Sequence, residues 1–106
     1  MNQGDILLVR YPFSNLSDYK IRPAIVVSNT AFNEKHDAWI CPVTSKHHDQ
    51  NILFDGSLTE GTLNKQSYAK PSTIITVNEE TILKRVGSLR KEKLLQIIET
   101  IKKNLN

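Results

Sequence analysis

Polar and cationic side chains stand where apolar segments of this sequence begin or end. Arg22 directly precedes an apolar run, Thr44 and Ser45 follow another, and Lys70 closes a third with Ser72 two residues beyond it. The planar fork of an arginine matches two phosphate oxygens, and hydroxyl and ammonium groups suit the remaining acceptors. If the three segments are neighbouring strands, these residues form a phosphate site. Each residue also has a structural interpretation of its own. Arg22 is then a surface ion-pair partner, Thr44 and Ser45 are turn caps, and Lys70 is a solvated cation.

A second group with chemical potential is the histidine pair His47 and His48. Neighbouring residues on a strand point to opposite faces, so a shared metal ion is not expected. The pair is interpreted as two solvated loop residues, or as one ring that stacks on a base or moves a proton. The sequence contains no CxxC, HExxH, P-loop or GxGxxG motif, and we expect no metal and no cofactor.

Composition limits the classes of protein to consider. The chain has 106 residues, of which 39% are hydrophobic and 24% charged, as in a single globular domain. Its net charge of +3 is mild and spread along the chain, which disfavours a purely electrostatic duplex binder. No apolar run is long enough to span a membrane and no signal peptide is apparent. The single cysteine, Cys41, suits a reducing cytoplasm.

Most of the chain reads as short strands joined by polar loops. A loop of about ten residues at 11–21 is longer than most connections, and such loops are often functional. Pro23 is placed at the first position of the second strand, where its missing N–H is tolerated. Two further polar segments, 29–37 and 55–62, are predicted to lack strands, and Asn78 is predicted to cap a helical turn. The predicted strands are 6–9, 23–28, 38–43, 52–54, 67–70, 74–77 and 84–86.

The C-terminal segment carries the clearest periodic pattern. Apolar residues recur at three- and four-residue spacing, which predicts an amphipathic helix over 91–104 that packs on the sheet. Many short strands and one terminal helix predict a mainly β (α+β) fold, a small, strongly curved sheet or barrel with the helix against it. The residues of the apolar stripe are Leu94, Ile97, Ile98, Ile101 and Leu105.

Several motifs occur in an order that resembles a known family. The stretches are GDILLVRYPFS, IRPAIVVS, CPVTS, SYAKPSTIITV and KRVGSL, followed by the amphipathic helix. Together they resemble the MazF/PemK family of toxin endoribonucleases from about Gly4 to the end of the chain. The most specific pieces are RPA, which begins at Arg22, and PVTS, which contains Thr44.

The resemblance implies a single toxin domain over 1–106 with an SH3-like barrel and a C-terminal helix. It implies a homodimer, an antitoxin protein that blocks the site, and metal-independent cleavage of single-stranded RNA at short sequences. The products would be a 2′,3′-cyclic phosphate and a 5′-OH, and the outcome would be inhibition of translation and growth in the cytoplasm.

The resemblance also implies site residues. Arg22 and Thr44, with Ser45 adjacent, match the usual catalytic pair of the family. Some members carry an arginine and an aspartate where this chain has Lys70 and Ser72. The cation is thus kept as lysine, whereas the carboxylate is absent.

Arg22 is expected to stabilise the pentavalent phosphate, because its permanent charge does not suit it for proton abstraction. The general base stays open between Asp18, His47, His48 and water. Tyr11, Phe13 and Tyr19 belong to the predicted first loop, where aromatic faces stack on bases, although Phe13 is favoured as a cover for the core edge. The predicted substrate-binding residues are Asp18, Tyr19, Lys20, Lys46, His47, His48 and Ser72.

Other functions share the same predicted fold. A non-nuclease toxin of the gyrase-poison type acts by protein binding through its C-terminal residues, but the segment KKNLN lacks the aromatic tail of such poisons. A catalytically degenerate member would bind RNA or antitoxin without cutting, which is consistent with serine at position 72. A metal-dependent nuclease needs a carboxylate cluster, which the sequence does not place near the predicted site.

Overall fold

Alternating and continuous apolar segments of the chain form antiparallel strands. The computed structural model describes residues 1–12, 19–54, 58–60, 63 and 66–106. Two helices, α1 (Thr30–Lys35) and α2 (Lys91–Leu105), and a 3-10 turn at Glu79–Thr81 accompany the strands. The strands are β1 (Asp5–Pro12), β2 (Tyr19–Val26), β3 (Ala38–Thr44), β4 (Ile52–Leu53), β5 (Leu58–Glu60), β6 (Tyr68–Ala69), β7 (Ile75–Val77) and β8 (Ile82–Leu89).

The strands form one sheet in the order β4-β6-β3-β2-β1-β8-β5, and β7 also pairs with β3. Each of the pairings in the described part of the chain is antiparallel. Strand β3 contacts β2 along one edge and β7 and β6 in succession along the other. The prediction of a mainly β fold with a C-terminal helix is therefore confirmed.

Two apolar clusters lie on the two faces of this sheet. Adjacent residues along a strand belong to different clusters, as in the pair Ile25 and Val26, because successive side chains point to opposite faces. The continuous apolar runs of the sequence thus reflect strands that are covered on both sides. The helix-side core includes Ile6, Ile25, Cys41, Phe54 and Ile97, and the opposite core includes Leu7, Val9, Tyr11, Ala24, Val26 and Ile40.

Helix α2 packs on the helix-side core as its periodicity predicts. Ile97 is fully buried, and Ile101 packs against the same cluster. The final residue of the predicted stripe differs, since Leu105 is 80% exposed at the end of the helix. No helix in the described ranges combines the length and apolar character that a membrane crossing requires.

The first hairpin is longer than the sequence suggested. Tyr11 pairs with Lys20 and Pro12 with Tyr19, so both ends of the predicted loop at 11–21 belong to β1 and β2. Tyr11 is consequently a buried strand residue and not a loop aromatic. Pro23 is the fifth residue of β2, where it is tolerated because the ladder to β3 starts only at Ala24.

Two elements were not predicted. Helix α1 occupies the segment taken as a polar loop, and Asn29 caps it by accepting a hydrogen bond from the Phe32 N–H at 2.8 Å. Strand β5 lies in the segment taken as a turn region and pairs with β8. Asn29 followed by Thr30 is a pattern from which the start of α1 could have been predicted. Strand β5 could not be predicted in this way, because it forms by pairing with β8, which is distant in the sequence. Asn78 does cap a helical turn, as predicted.

The N-terminal Gly4-Asp5 pair ties β1 to several elements. The Gly4 N–H donates to the Val26 carbonyl at 2.8 Å, and its carbonyl accepts from the Leu89 N–H at 3.0 Å. Gly4 has a φ of +92°, and a Cβ at this position would lie 3.1 Å from Leu94 Cδ2. The buried Asp5 carboxylate accepts from Arg85 Nε at 3.0 Å. Only glycine fits this backbone conformation and this approach of α2 without strain.

We expect Gly4→Ala to destabilise the fold by about 1–3 kcal/mol, because alanine at positive φ is strained and its methyl group crowds Leu94. Thermal unfolding monitored by circular dichroism should show a melting temperature lower by about 5 °C or more. The double variant with Leu94→Ala should lose less than the sum of the two single variants, since it removes the crowding. An unchanged melting temperature in Gly4→Ala would contradict this account.

We also expect the Cys41 thiol to be inert in the folded protein. Burial raises its pKa to about 12, partly offset by the Lys70 backbone N–H, so the reactive thiolate is scarce at pH 8. Reaction with a colorimetric disulfide reagent should therefore be at least about a hundredfold slower than in guanidinium chloride. Rapid labelling of the native protein would show that this part of the core opens readily.

Candidate active site

The register of β3 against its neighbours places three of the predicted residues at one end of the sheet. Ala24 pairs with Pro42, and continuing this register by two residues sets Arg22 opposite Thr44. On the other edge Thr44 pairs with Tyr68, and the Lys70 N–H donates to the Pro42 carbonyl at 2.9 Å. Directly paired residues share a face, and diagonal neighbours lie about 7–8 Å apart, within reach of long side chains.

The Arg22 side chain lies where β2 and β3 separate. Its residue pairs with Val9 of β1, so a three-stranded region supports the backbone behind it. The side chain is exposed, and within the described ranges no carboxylate or carbonyl binds its guanidinium. The interpretation of Arg22 as a structural ion-pair partner thus has no support in this part of the chain.

The Thr44 side chain is half-buried and held by the following turn. Its Oγ1 accepts a hydrogen bond from the Lys46 N–H at 3.2 Å. Because the Thr44 oxygen accepts this hydrogen bond, its O–H group remains available to donate another one. Ser45 is exposed one residue beyond the end of β3, so a second hydroxyl follows directly.

Lys70 and Ser72 belong to the turn that links β6 to β7. The Thr73 N–H donates to the Lys70 carbonyl at 3.2 Å, and Pro71 occupies the second position of this turn. Both Lys70 and Ser72 are exposed. Because Lys70 lies opposite Pro42, its ammonium group emerges diagonally from Thr44 on the same face of the sheet.

The loop after β3 presents Lys46, His47 and His48, which are all exposed. Asn51 fixes the loop, since its side-chain amide donates to the Lys46 carbonyl at 3.1 Å and its backbone N–H to the His48 carbonyl at 3.0 Å. The His47 ring centroid is 5.4 Å from that of Tyr68, the strand partner of Thr44. The loop therefore borders the Arg22–Thr44 end of the sheet.

A cavity of about 420 Å³ lies beside this loop. It combines the ring surfaces of His47 and Tyr68 with polar groups from the loop and from α2. Its size and mixed lining suit a planar polar group such as a base. The lining residues are His47, Asn51, Ile52, Leu53, Tyr68, Lys93 and Gln96.

Three predicted substrate-binding residues lie in or beside the first hairpin connection. Asp18, like Phe13, lies outside the described residues. Tyr19 is paired with Pro12 at the start of β2, but its side chain also lies outside the description. Lys20 is exposed on β2, where the sequence had suggested a loop.

Tyr11 is the residue at this end of the sheet whose environment the sequence analysis missed. Its side chain is 8% exposed, and its buried hydroxyl has no hydrogen-bond partner among the described residues. Burial raises the pKa of the phenol well above its ordinary value, with a further contribution from the Cys41 thiol, while the Arg22 charge opposes the rise. Alternation of Leu7, Val9 and Tyr11 along β1 was the signal that could have identified it as a core residue.

The assembled groups suit an anion. Arg22, Lys70 and Lys46 supply positive charge, and Thr44 supplies a positioned hydroxyl. In the part of the chain that the structure describes, no three histidine, cysteine, aspartate or glutamate side chains come together as metal ligands.

Comparison with known proteins identifies the same fold in solved toxins. The toxin MazF-mt6 of Mycobacterium tuberculosis is 15% identical over 95% of each chain, with a TM-score of 0.75. A MazE-MazF structure from Deinococcus radiodurans is 14% identical over 99% of this chain and 95% of that one, with a TM-score of 0.79. A mycobacterial endoribonuclease in complex with its cognate antitoxin is 16% identical over 99% and 92% of the two chains, with a TM-score of 0.73. At these identities the likeness establishes the fold.

No curated protein sequence matches the chain. The family model of PemK-like, MazF-like toxins of type II toxin-antitoxin systems matches residues 2–105, which is nearly the whole chain. With the RPA and PVTS residues at one end of a MazF-like sheet, this match shows that the chain belongs to the PemK/MazF family of toxins of type II toxin-antitoxin systems.

Proposed function

We propose that this toxin is an endoribonuclease that cleaves single-stranded RNA without a metal ion. The observation that carries the proposal is the exposed Arg22, which has no described partner and lies opposite Thr44 when the β2–β3 register is continued by two residues. The Thr44 Oγ1 accepts a hydrogen bond from the Lys46 N–H, so its O–H remains available to donate. The similar mycobacterial structures named as endoribonucleases support the endoribonuclease part of the proposal.

The reaction is an attack of the ribose 2′-OH on the adjacent phosphorus. The new O2′–P bond forms as the bond to the 5′-oxygen breaks, leaving a 2′,3′-cyclic phosphate and a 5′-OH. Arg22 binds the phosphate oxygens as negative charge accumulates on them, and the Thr44 hydroxyl donates a hydrogen bond to a non-bridging oxygen. Lys70 offsets the charge of the pentavalent state or binds a flanking phosphate, and Ser45 assists Thr44.

Proton transfer completes the step. The 2′-OH loses its proton to a base, and the leaving 5′-oxygen gains a proton from a general acid or from water. Arg22 remains charged and therefore does not take this proton. Asp18, His47, His48 and water are the candidates for the base.

The surrounding residues provide the binding surface for single-stranded RNA. His47 lines the cavity beside Tyr68. Lys46 and His47 follow Thr44 by two and three residues, which supports a role for both in contacting the nucleotide next to the scissile phosphate. The remaining members of the proposed substrate-binding set are Asp18, Tyr19, Lys20, His48 and Ser72.

The proposal extends to the toxin's partners. We expect the domain over 1–106 to form a homodimer, to be bound and blocked by a cognate antitoxin, and to act on mRNA in the cytoplasm, where cleavage inhibits translation and growth. Similar structures from Deinococcus radiodurans and mycobacteria contain a MazE chain or a cognate antitoxin, which supports the antitoxin part.

Arg22→Ala should lower kcat/KM for RNA cleavage by about a hundred- to a thousandfold or more, because it removes the charge that stabilises the transition state. The assay uses purified, antitoxin-free protein, a long single-stranded RNA and EDTA, with the product ends mapped. Arg22 is exposed and unpaired in the described structure, so the melting temperature should not change. Arg22→Lys is the matched control, which keeps the charge without the fork and should be intermediate.

Intact RNA at high concentration of folded wild-type protein would overturn the ribonuclease proposal for that substrate. The gyrase-poison-like and binding-only alternatives would then be preferred. Cleavage that EDTA abolishes would instead indicate a metal-dependent nuclease.

Thr44→Val should lower the cleavage rate about a hundredfold, because it removes the hydroxyl donor at nearly constant shape. Thr44→Ser keeps the hydroxyl and should retain most of the rate, measured in the same assay. Equal rates for Thr44→Val and wild type would remove Thr44 from the mechanism.

A further inference from the structure

The hydroxyl oxygen of Tyr11 is a polar atom that lies inside an apolar core. The Tyr11 ring belongs to the opposite core with Val9 and Val26, and only 8% of the residue is exposed. The hydroxyl oxygen is buried and makes no hydrogen bond within the part of the chain that the structure describes. Buried polar groups in folded proteins are almost always paired, so an orphaned phenol destabilises this core relative to phenylalanine.

The position of Tyr11 connects this atom to Arg22. Val9 pairs with Arg22 and Tyr11 pairs with Lys20, so Tyr11 is the diagonal neighbour of Arg22 on the same face. The Arg22 charge opposes the rise in the pKa of the phenol that burial causes, which agrees with this neighbouring position. The Tyr11 ring is fixed by packing, whereas the Arg22 side chain is exposed.

We propose that Tyr11 is a positioning residue for Arg22, whose guanidinium donates a hydrogen bond to the Tyr11 hydroxyl oxygen when it binds the RNA phosphate. A guanidinium has five N–H donors, and a phosphate held by its fork uses two of them. Binding RNA removes water from the other donors, which then need an acceptor. The unused phenol oxygen, held on a rigid ring, supplies one and fixes the plane of the fork.

The phenol acts here as an acceptor and not as a base. Burial raises its pKa, so it remains neutral at physiological pH and takes no proton from the 2′-OH. The inference rests on the proposed ribonuclease function, since it describes how the catalytic arginine is oriented.

Tyr11→Phe separates this role from a structural one. The variant keeps the ring and removes only the oxygen, so its melting temperature should equal or exceed that of wild type. Its kcat for RNA cleavage should fall about ten- to a hundredfold with little change in KM, the range for a hydrogen bond to a charged group. Wild-type kcat in a stable Tyr11→Phe protein would overturn the proposal.

The matched control is the same substitution in the Arg22→Ala background. If Tyr11 acts through Arg22, the double variant should cleave no more slowly than Arg22→Ala alone. A further tenfold loss would show that Tyr11 acts independently and would overturn the proposal. This comparison also detects general damage to the core, which would slow both backgrounds equally.

A titration with inorganic phosphate tests the pair without cleavage. The Nε–Hε resonance of Arg22 should shift on adding phosphate to wild type, and Tyr11→Phe should need a several-fold higher phosphate concentration for the same shift. If wild-type protein cleaves no RNA, the proposed function fails and this titration decides the role of Tyr11 alone. Equal phosphate affinities for the two proteins would overturn it.

Discussion

The pairing of β3 with strands on both of its edges is the constraint on which the candidate site depends. Because Thr44 lies opposite Arg22 in the continued register on one side and is paired with Tyr68 on the other, residues far apart in sequence meet at one end of the sheet. A slip of one residue would turn Thr44 to the other face, and it would also expose Val43, which is buried in the helix-side core. Core burial therefore fixes the register, and the register fixes the site.

The candidate site includes polar side chains that have no hydrogen-bond partner among the described residues. Arg22 has no described partner, and the Tyr11 hydroxyl has none either, whereas the Thr44 oxygen is already held by a backbone N–H. The buried, unpaired Tyr11 hydroxyl lowers the stability of the fold, whereas the exposed Arg22 is solvated and does not. Compromises of this kind concentrate at functional sites. Paired strands support the backbone of Arg22 and Thr44, and such support suits the role in transition-state stabilisation that we propose for them.

Helix α2 contributes to this arrangement although it supplies none of the proposed catalytic residues. It buries Ile97 against the sheet and approaches Gly4 closely enough to exclude a side chain there. The Gln50 and Asn104 side-chain amides exchange two hydrogen bonds, at 3.0 and 3.1 Å. These bonds hold the loop after β3 against the last turn of α2. The loop that carries His47 is thus held at both of its ends, by β3 and by the helix.

The sequence by itself determined the periodic elements and the family. The spacing of apolar residues predicted α2 and the main strands, and the RPA and PVTS motifs pointed to Arg22 and Thr44 as partners. Only the tertiary structure decided which strands pair, that β5 exists, and that Tyr11 is buried beside Arg22. The physical reason is that periodicity records which face of a segment is covered, whereas register and strand order arise from hydrogen bonds between residues far apart in the chain.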